Sequence, residues 1–301
     1  MACSQPSTTF HTKSGAGSTP LTMNLFSLKT IKLLLETYGA RPQKRLGQNF
    51  LTDRKVLAKI LLASDLSPQD TVVEVGPGLG VLTKALAEKA KKVIAVEKDP
   101  RMVEILTEEL KNFSNVDVVH GDILKLDTKY QILNTKYKVV ANLPYYITSP
   151  VIRKFLEAPH KPKLMVLMVQ KEVAQRICTN PPDMSLLAVA VQFYAKPKIL
   201  SYVSKTSFWP IPKVDSAILK ITPITADINA DARGFFKIVK AGFKQPRKQL
   251  LNNLANGLGV KKEIIVQWLE NNHIKPNQRA ETLGVETWIR LAKNMKKYTP
   301  E

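Results

Sequence analysis

Thr71-Val72-Val73-Glu74-Val75-Gly76-Pro77-Gly78-Leu79-Gly80 begins as a β-branched run and ends in three glycines spaced two apart. The run reads as a short buried strand, and the amphipathic stretch at 82–90 reads as the helix that follows it. Glycines between a strand and a helix let the main chain pass close to a ligand, because no Cβ intervenes. Their spacing argues against one common nucleotide site. A dinucleotide fold needs G-x-G-x-x-G with a pyrophosphate on the helix N-terminus, whereas here Val81 stands where the third glycine would fall. A nicotinamide-dependent dehydrogenase is disfavoured on that ground, and the chain offers no His or Tyr-Lys constellation for hydride chemistry.

Outward from this loop, short apolar runs at 93–96, 116–119, 138–141 and 164–169 alternate with helical stretches, of which the one at 100–112 is opened by Asp99 as a cap and Pro100 at the first helical position. That alternation predicts a doubly wound α/β sheet, mostly parallel. Runs at 197–203 and 216–222, joined by a Pro-rich loop, predict an antiparallel pair that closes it. Beyond Pro223 the strand pattern stops, and segments at 232–243, 247–254, 261–271 and 285–295 read as helices. The expected organisation is therefore a disordered extension at 1–22, an α/β domain at 23–223 and a small all-helical domain at 224–301.

The chain has 301 residues, 44% of them hydrophobic, enough for one large core and a smaller second one. Lys and Arg number 45 against 25 Asp and Glu, a formal charge of +20 that favours a polyanionic partner, nucleic acid first. A membrane surface is the competing polyanion, but no apolar run approaches the roughly 18 residues that span a bilayer. In the helical part, Lys244, Arg247 and Lys248 are expected to face nucleic acid, although basic side chains also serve simply to solvate a helix face. Only Cys3 and Cys178 are present and the four histidines are scattered, which argues for a reducing, cytoplasmic setting and against a metal site. The Ser/Thr-rich start lacks the apolar core of a secretory signal.

Three strand ends carry candidate ligand groups. Glu97 lies about 20 residues beyond the glycine loop, where a carboxylate can accept from both hydroxyls of a ribose. Asp122, after the third strand, can accept from an adenine amine. Asn142-Leu143-Pro144-Tyr145 follows the fourth strand. An exocyclic adenine amine is a poor nucleophile because its lone pair is conjugated into the ring. The Asn142 side-chain oxygen and the Leu143 carbonyl are two acceptors able to hold its hydrogens and redirect that pair. Pro144 stiffens the turn, and Tyr145 offers a flat face for a base. An Asn-x-Pro turn with a buried Tyr fits the same four residues. Upstream, Lys44-Arg45-Leu46-Gly47-Gln48-Asn49-Phe50-Leu51 can close over a cofactor, or can simply cap the next helix through Asn49.

The spacing E-x-G-x-G-x-G from Glu74 resembles the S-adenosylmethionine-binding loop of Rossmann-like methyltransferases. Together with Gln48-Asn49-Phe50-Leu51, Glu97, Gly121-Asp122, the Asn142 tetrad and Phe208-Trp209-Pro210-Ile211-Pro212-Lys213-Val214-Asp215-Ser216, the chain from about Arg41 onward resembles the ribosomal RNA adenine dimethyltransferases, the KsgA family. Relatives commonly carry a third proline where this chain has Ile211. The resemblance implies that Asn49, Leu51, Gly76, Glu97, Asp122 and Asn142 contact S-adenosylmethionine, with no metal, and that Phe208 stacks on the target adenine opposite Tyr145. It further implies a monomeric enzyme that dimethylates the N6 amines of two adjacent adenosines in a 3′-terminal hairpin loop of small-subunit ribosomal RNA, within the pre-30S particle. A macrolide-resistance-type methyltransferase acting on large-subunit RNA, and a non-catalytic assembly or transcription factor on the same fold, are the alternatives.

Overall fold

A computed structural model describes residues 24–126, 136–224 and 231–298; the extension expected at 1–22 lies outside them. Helix α1 (Leu28–Thr37), a two-residue strand β1 (Phe50–Leu51) and helix α2 (Arg54–Ser64) precede the α/β core. The core runs β2 (Thr71–Val75), α3 (Val81–Ala87), β3 (Lys92–Glu97), α4 (Pro100–Glu109), β4 (Val116–His120), β5 (Tyr137–Asn142), α5 (Thr148–Glu157) and β6 (Leu164–Gln170). It continues through α6 (Lys171–Ile177), α7 (Leu186–Gln192), β7 (Ala195–Val203), the short β8 (Phe208–Trp209) and β9 (Ser216–Pro223).

Seven strands form one sheet in the order β4-β3-β2-β5-β6-β9-β7. All neighbours pair in parallel except at β9, which runs antiparallel to both β6 and β7. The expected mostly parallel sheet with an antiparallel last strand is what forms. Helices cover both faces of the central strands, so their runs are largely apolar, whereas the edge strands β4 and β7 carry exposed residues. In β5, Val139 belongs to the cluster that holds Val151 and Phe155 of α5, while Val140 belongs to the opposite one with Val56 and Ile60 of α2 and Leu86 of α3. Met168, fully buried in β6, is part of that second cluster, and Met168→Ala would cost roughly 2 to 5 kcal/mol. Lys138 is a buried charge in β5. Its ammonium sits 3.0 Å from Asp70 and donates to the carbonyls of Ser64 and Asp65, tying the end of α2 to the sheet.

The C-terminal helices are α8 (Ala232–Gly242), α9 (Leu250–Leu258), α10 (Lys262–Glu270) and α11 (Val285–Asn294). Their core includes Phe235, Ile238, Trp268 and Trp288, and it takes in Ala188, Val189 and Phe193 from the end of the α/β part. Phe193 stacks on Phe235 with ring centroids 4.0 Å apart. The helical part is thus seated on α7 by a shared core. The helix expected from residue 247 begins at Leu250, because residues 243–249 form a loop around Pro246. Buried Asn253 holds that loop, donating to the carbonyls of Gly242 at 2.7 Å and Gln245 at 2.9 Å. Among the described residues no helix is long and apolar enough to cross a membrane.

Candidate active site

Strand order reverses at β2, whose neighbours are β3 on one side and β5 on the other. Connections leave β2 and β5 toward opposite edges, which opens a crevice above their C-terminal ends. A cavity of about 1170 Å³, counting its open mouth, lies there. Its wall is built by residues 74–79 of the glycine loop, by Glu97 and Lys98, by residues 121–124, by residues 142–147 and by the arm at 46–51. Asn49, Leu51, Gly76, Glu97, Asp122, Asn142, Leu143, Pro144 and Tyr145, found separately along the sequence, therefore share one wall.

Gly76 and Gly78 adopt φ of 68° and 59°, a left-handed region costly for any residue with a Cβ. Close approach adds a second reason at Gly78, where a Cβ would lie 3.3 Å from the Phe50 ring, while one on Gly76 would meet the Pro144 ring at a contact distance of 3.4 Å. The loop is therefore clamped between the tetrad and the arm.

Three carboxyl groups face this cavity. Glu97, 6% exposed, accepts from the main-chain N–H of Gly78 at 3.1 Å and of Lys98 and Asp99 at 2.8 Å. Burial pushes its pKa up, against those three bonds. Burial also opposes ionisation of Asp122, but the Lys98 ammonium at 3.0 Å and the Leu124 N–H outweigh it and hold this carboxyl below the usual range. Glu74 is fully buried, and desolvation, with the like charge of Glu97 adding to it, pushes it up to about 8. The Thr83 hydroxyl is near enough to favour the charged form slightly, yet neither Glu74 Oε2 nor Thr83 Oγ1 reaches hydrogen-bond geometry.

At the other end of the cavity, Asn142 Nδ2 donates to the Asn49 carbonyl at 3.1 Å, and Asn49 Nδ2 donates to the Gly47 carbonyl at 3.0 Å. Asn49 does not cap α2; Asp53 does, accepting from the N–H of Lys55 and Val56. No donor among the described residues reaches Asn142 Oδ1 or the Leu143 carbonyl, so two acceptors on consecutive residues are left without a partner there. The Tyr145 hydroxyl lies 2.7 Å from Ser216 Oγ, which fixes the plane of its half-buried ring.

Residues 39–297 match the family described as Ribosomal RNA adenine dimethylase. The chain belongs to this family. It is 51% identical over 264 residues to Ribosomal RNA small subunit methyltransferase A of Dehalococcoides mccartyi, covering 86% of this chain and 90% of that one. Identity to the Enterococcus faecalis protein of the same name is 43%, over 89% of this chain and 95% of that one. Among solved structures it is similar to a dimethyladenosine transferase from Plasmodium falciparum, with TM-score 0.74 and 28% identity over 83% of this chain and 98% of that one. It is also similar to the 23S rRNA methyltransferase ErmE, with TM-score 0.67 and 28% identity over 82% of this chain and all of that one. The chain is thus a ribosomal RNA methyltransferase.

One residue expected at the dimethylase site stands elsewhere. Phe208 is 2% exposed, pairs with Leu51 across the β1–β8 ladder and belongs to the core with Val203 and Ile218, outside the cavity wall. The exposed ring at the mouth is Tyr146, 53% exposed. Lys244, Arg247 and Lys248 are all exposed on the loop at 243–249, away from the cavity wall, and form no ion pair among the described residues. Sequence reasoning missed Lys98 and Ser216 as partners of Asp122 and Tyr145. Both lie within or next to the quoted motifs, but only their hydrogen bonds give them a role. No group of His, Cys, Asp and Glu among the described residues is arranged to hold a metal ion.

Proposed function

We propose that this chain methylates the N6 amines of two adjacent adenosines in a hairpin loop near the 3′ end of small-subunit ribosomal RNA, with S-adenosylmethionine as donor. The observation that carries the reading is the open pair of acceptors, Asn142 Oδ1 and the Leu143 carbonyl, at one end of a cavity whose other walls suit a nucleoside. The donor is a cation at sulfur and at its amino group. Acidic groups in the cavity of a chain charged +20, Asp122 held ionised among them, suit such a ligand, and buried Glu74 Oε2 has no partner among the described residues. Glu97 would hold the ribose hydroxyls and Asp122 the adenine amine, with Gly76 giving the main chain close approach and Asn49 and Leu51 closing the arm side.

Bound there, the donor supplies an electrophilic methyl group on a sulfonium that leaves as a neutral thioether. The protein does the rest by orientation. The target adenosine leaves its loop, as bases must when chemistry is done on them, and lies against Tyr145, whose plane Ser216 fixes. Stacking of this kind is worth roughly 1 to 3 kcal/mol per base. Asn142 Oδ1 and the Leu143 carbonyl accept the two N6 hydrogens and draw the nitrogen lone pair out of the ring toward the methyl carbon. Once methylated, the nitrogen is cationic and acidic enough to release a proton to solvent, so no His is needed. Phe208 reaches the second face of the base only if the β1–β8 segment shifts.

In this reading the enzyme works as a cytoplasmic monomer on the pre-30S particle. The test offers labelled S-adenosylmethionine with small and large subunits that both lack their adenine modifications, then maps the label. Label on paired adenosines near the 3′ end of small-subunit RNA is expected. Label on large-subunit RNA supports the activity that the name of the 23S rRNA methyltransferase ErmE states. Cofactor binding with no transfer to either subunit supports the assembly-factor reading.

A further inference from the structure

The arm that walls the cofactor cavity is held ahead of Asn49 by a cluster of side chains to which the proposed function gives no role. Asp99 is 1% exposed. Its Oδ2 accepts from Gln43 Nε2 at 2.9 Å and from Gln48 Nε2 at 2.8 Å. Gln48 Oε1 accepts in turn from the Gln43 main-chain N–H at 2.8 Å, closing a ring across the arm. Asp99 Oδ1 caps α4 through the Arg101 N–H at 3.0 Å, and the Asp99 N–H donates to Glu97 Oε1 at 2.8 Å. No cation among the described residues pairs with Asp99; neutral amides and main-chain N–H groups satisfy it.

We infer that Gln43, Gln48 and Asp99 form a latch that keeps the arm shut over the cofactor and sets how long the cofactor stays. The inference rests on the cofactor reading given above. Its physical basis is a contrast along the arm. At Phe50–Leu51 it is fixed by main-chain pairing with β8 and by buried side chains, and upstream α1 is fixed by Ile31, Leu34 and Leu35, which share a core with Met102 and Ile105 of α4. Between those anchors, Gln43 and Gln48 hold it by side-chain amides on one carboxylate oxygen, which water can replace when the stretch lifts. Such a stretch opens and recloses while its anchors stay put. The bond from the Asp99 N–H to Glu97 links the latch to the carboxylate assigned to the ribose, so arm closure and ribose capture favour each other. Gln43, Gln48 and Asp99 are positioning residues and touch no reacting atom.

The test uses the full chain with S-adenosylhomocysteine as the probe and compares wild type, Gln43→Ala/Gln48→Ala, Gln48→Glu and Asp99→Asn. Asparagine caps a helix as well as aspartate does, so Asp99→Asn keeps α4 while discharging the latch. The latch variants are expected to release the probe about tenfold faster or more, since bonds to a charged acceptor are the strong ones. KM for the methyl donor should rise in parallel, with kcat at saturating donor within about twofold of wild type. Trypsin, which can cut after Lys44 and Arg45, should be blocked by the probe in wild type and not in the variants. Unchanged release in all three variants, while wild type binds the probe, overturns the latch. Loss of kcat together with melting temperature in all three also overturns it, because the cluster is then structural. Failure of wild type to bind the probe sinks the cofactor reading first, and the two failures are distinct.

Discussion

The Asn142 side-chain amide donates to the main-chain carbonyl of Asn49 at 3.1 Å. This one bond joins the end of β5 to the arm at 46–51. It also decides which way the amide faces. With Nδ2 committed to the arm, Oδ1 is left as an acceptor, as the proposed capture of an amine requires.

Asn142→Ala should therefore lower methyl transfer by about 100-fold or more while leaving RNA affinity within a few-fold of wild type. Asn142→Asp should lose activity as well, because a carboxylate cannot donate to the Asn49 carbonyl and so does not keep the same orientation. Single-turnover transfer rates, compared with RNA binding by filter retention, check this. Near-normal turnover in the alanine variant removes Asn142 from the chemistry.

Phe208 is part of the core in this conformation, so its truncation should act first on stability. We expect Phe208→Ala to cost about 3 to 5 kcal/mol in a denaturant titration. Phe208→Leu keeps most of the buried volume and should cost under about 1.5 kcal/mol. If the leucine variant is stable and fully active, the second face of the target base does not need an aromatic ring from this position.

The residues that mark the fold and the cofactor wall were legible because each ends a strand whose apolar run is unmistakable. Glu97 and Asp122 follow β3 and β4, and the tetrad begins at the last residue of β5. Runs of five to seven residues carry periodicity. The two-residue ladder of β1 and β8 carries none, so nothing in the sequence showed that Phe208 pairs with Leu51 and is buried there. Asp99 was legible as a helix cap, which it is, but its bonds to Gln43 and Gln48 span 56 and 51 residues and leave no local trace. The start of α9 was misplaced because charged residues read as helix formers, while Pro246 and the side chain of Asn253 shape a loop instead.

Lys98 occupies Asp122 Oδ2, the oxygen a ligand amine would need. Binding must displace it or share it. Lys98→Met should therefore tighten S-adenosylhomocysteine binding, by no more than a few-fold, because an ion pair made by a solvent-exposed lysine is weak. Calorimetric titration measures this. Weaker binding would mean that Lys98 contacts the ligand rather than competing with it.

Glu74 gives the protein a pH signature. Its carboxyl is pushed up to about 8 in the fold, whereas an exposed glutamate releases its proton near 4.5. Between those values the folded state keeps a proton that the unfolded chain has lost, so stability falls as pH rises and levels off above about 8. Glu74→Gln removes the titration and keeps the shape. The variant should melt higher than wild type at pH 8 and show a flatter profile from pH 5 to 8 in the absence of cofactor. Parallel profiles would mean that Glu74 is ionised in the fold.

Lys244, Arg247 and Lys248 stand exposed on one loop, and buried Asn253 sets the shape of that loop through two carbonyls. Charge and shape make separable contributions to RNA binding. Each phosphate contact contributes about 0.7 to 0.9 to the slope of log affinity against log salt. Replacing all three cations by alanine should therefore make the slope shallower by about 2 to 3 and weaken binding most at low salt, with cofactor affinity unchanged. Asn253→Ala keeps the cations but frees the loop and strands two carbonyls, so it should weaken RNA binding and lower stability by about 1 to 3 kcal/mol while the slope stays near wild type. Binding isotherms on small-subunit RNA from low to high salt distinguish the two outcomes. An unchanged slope in the triple variant would place the phosphate contacts on another face.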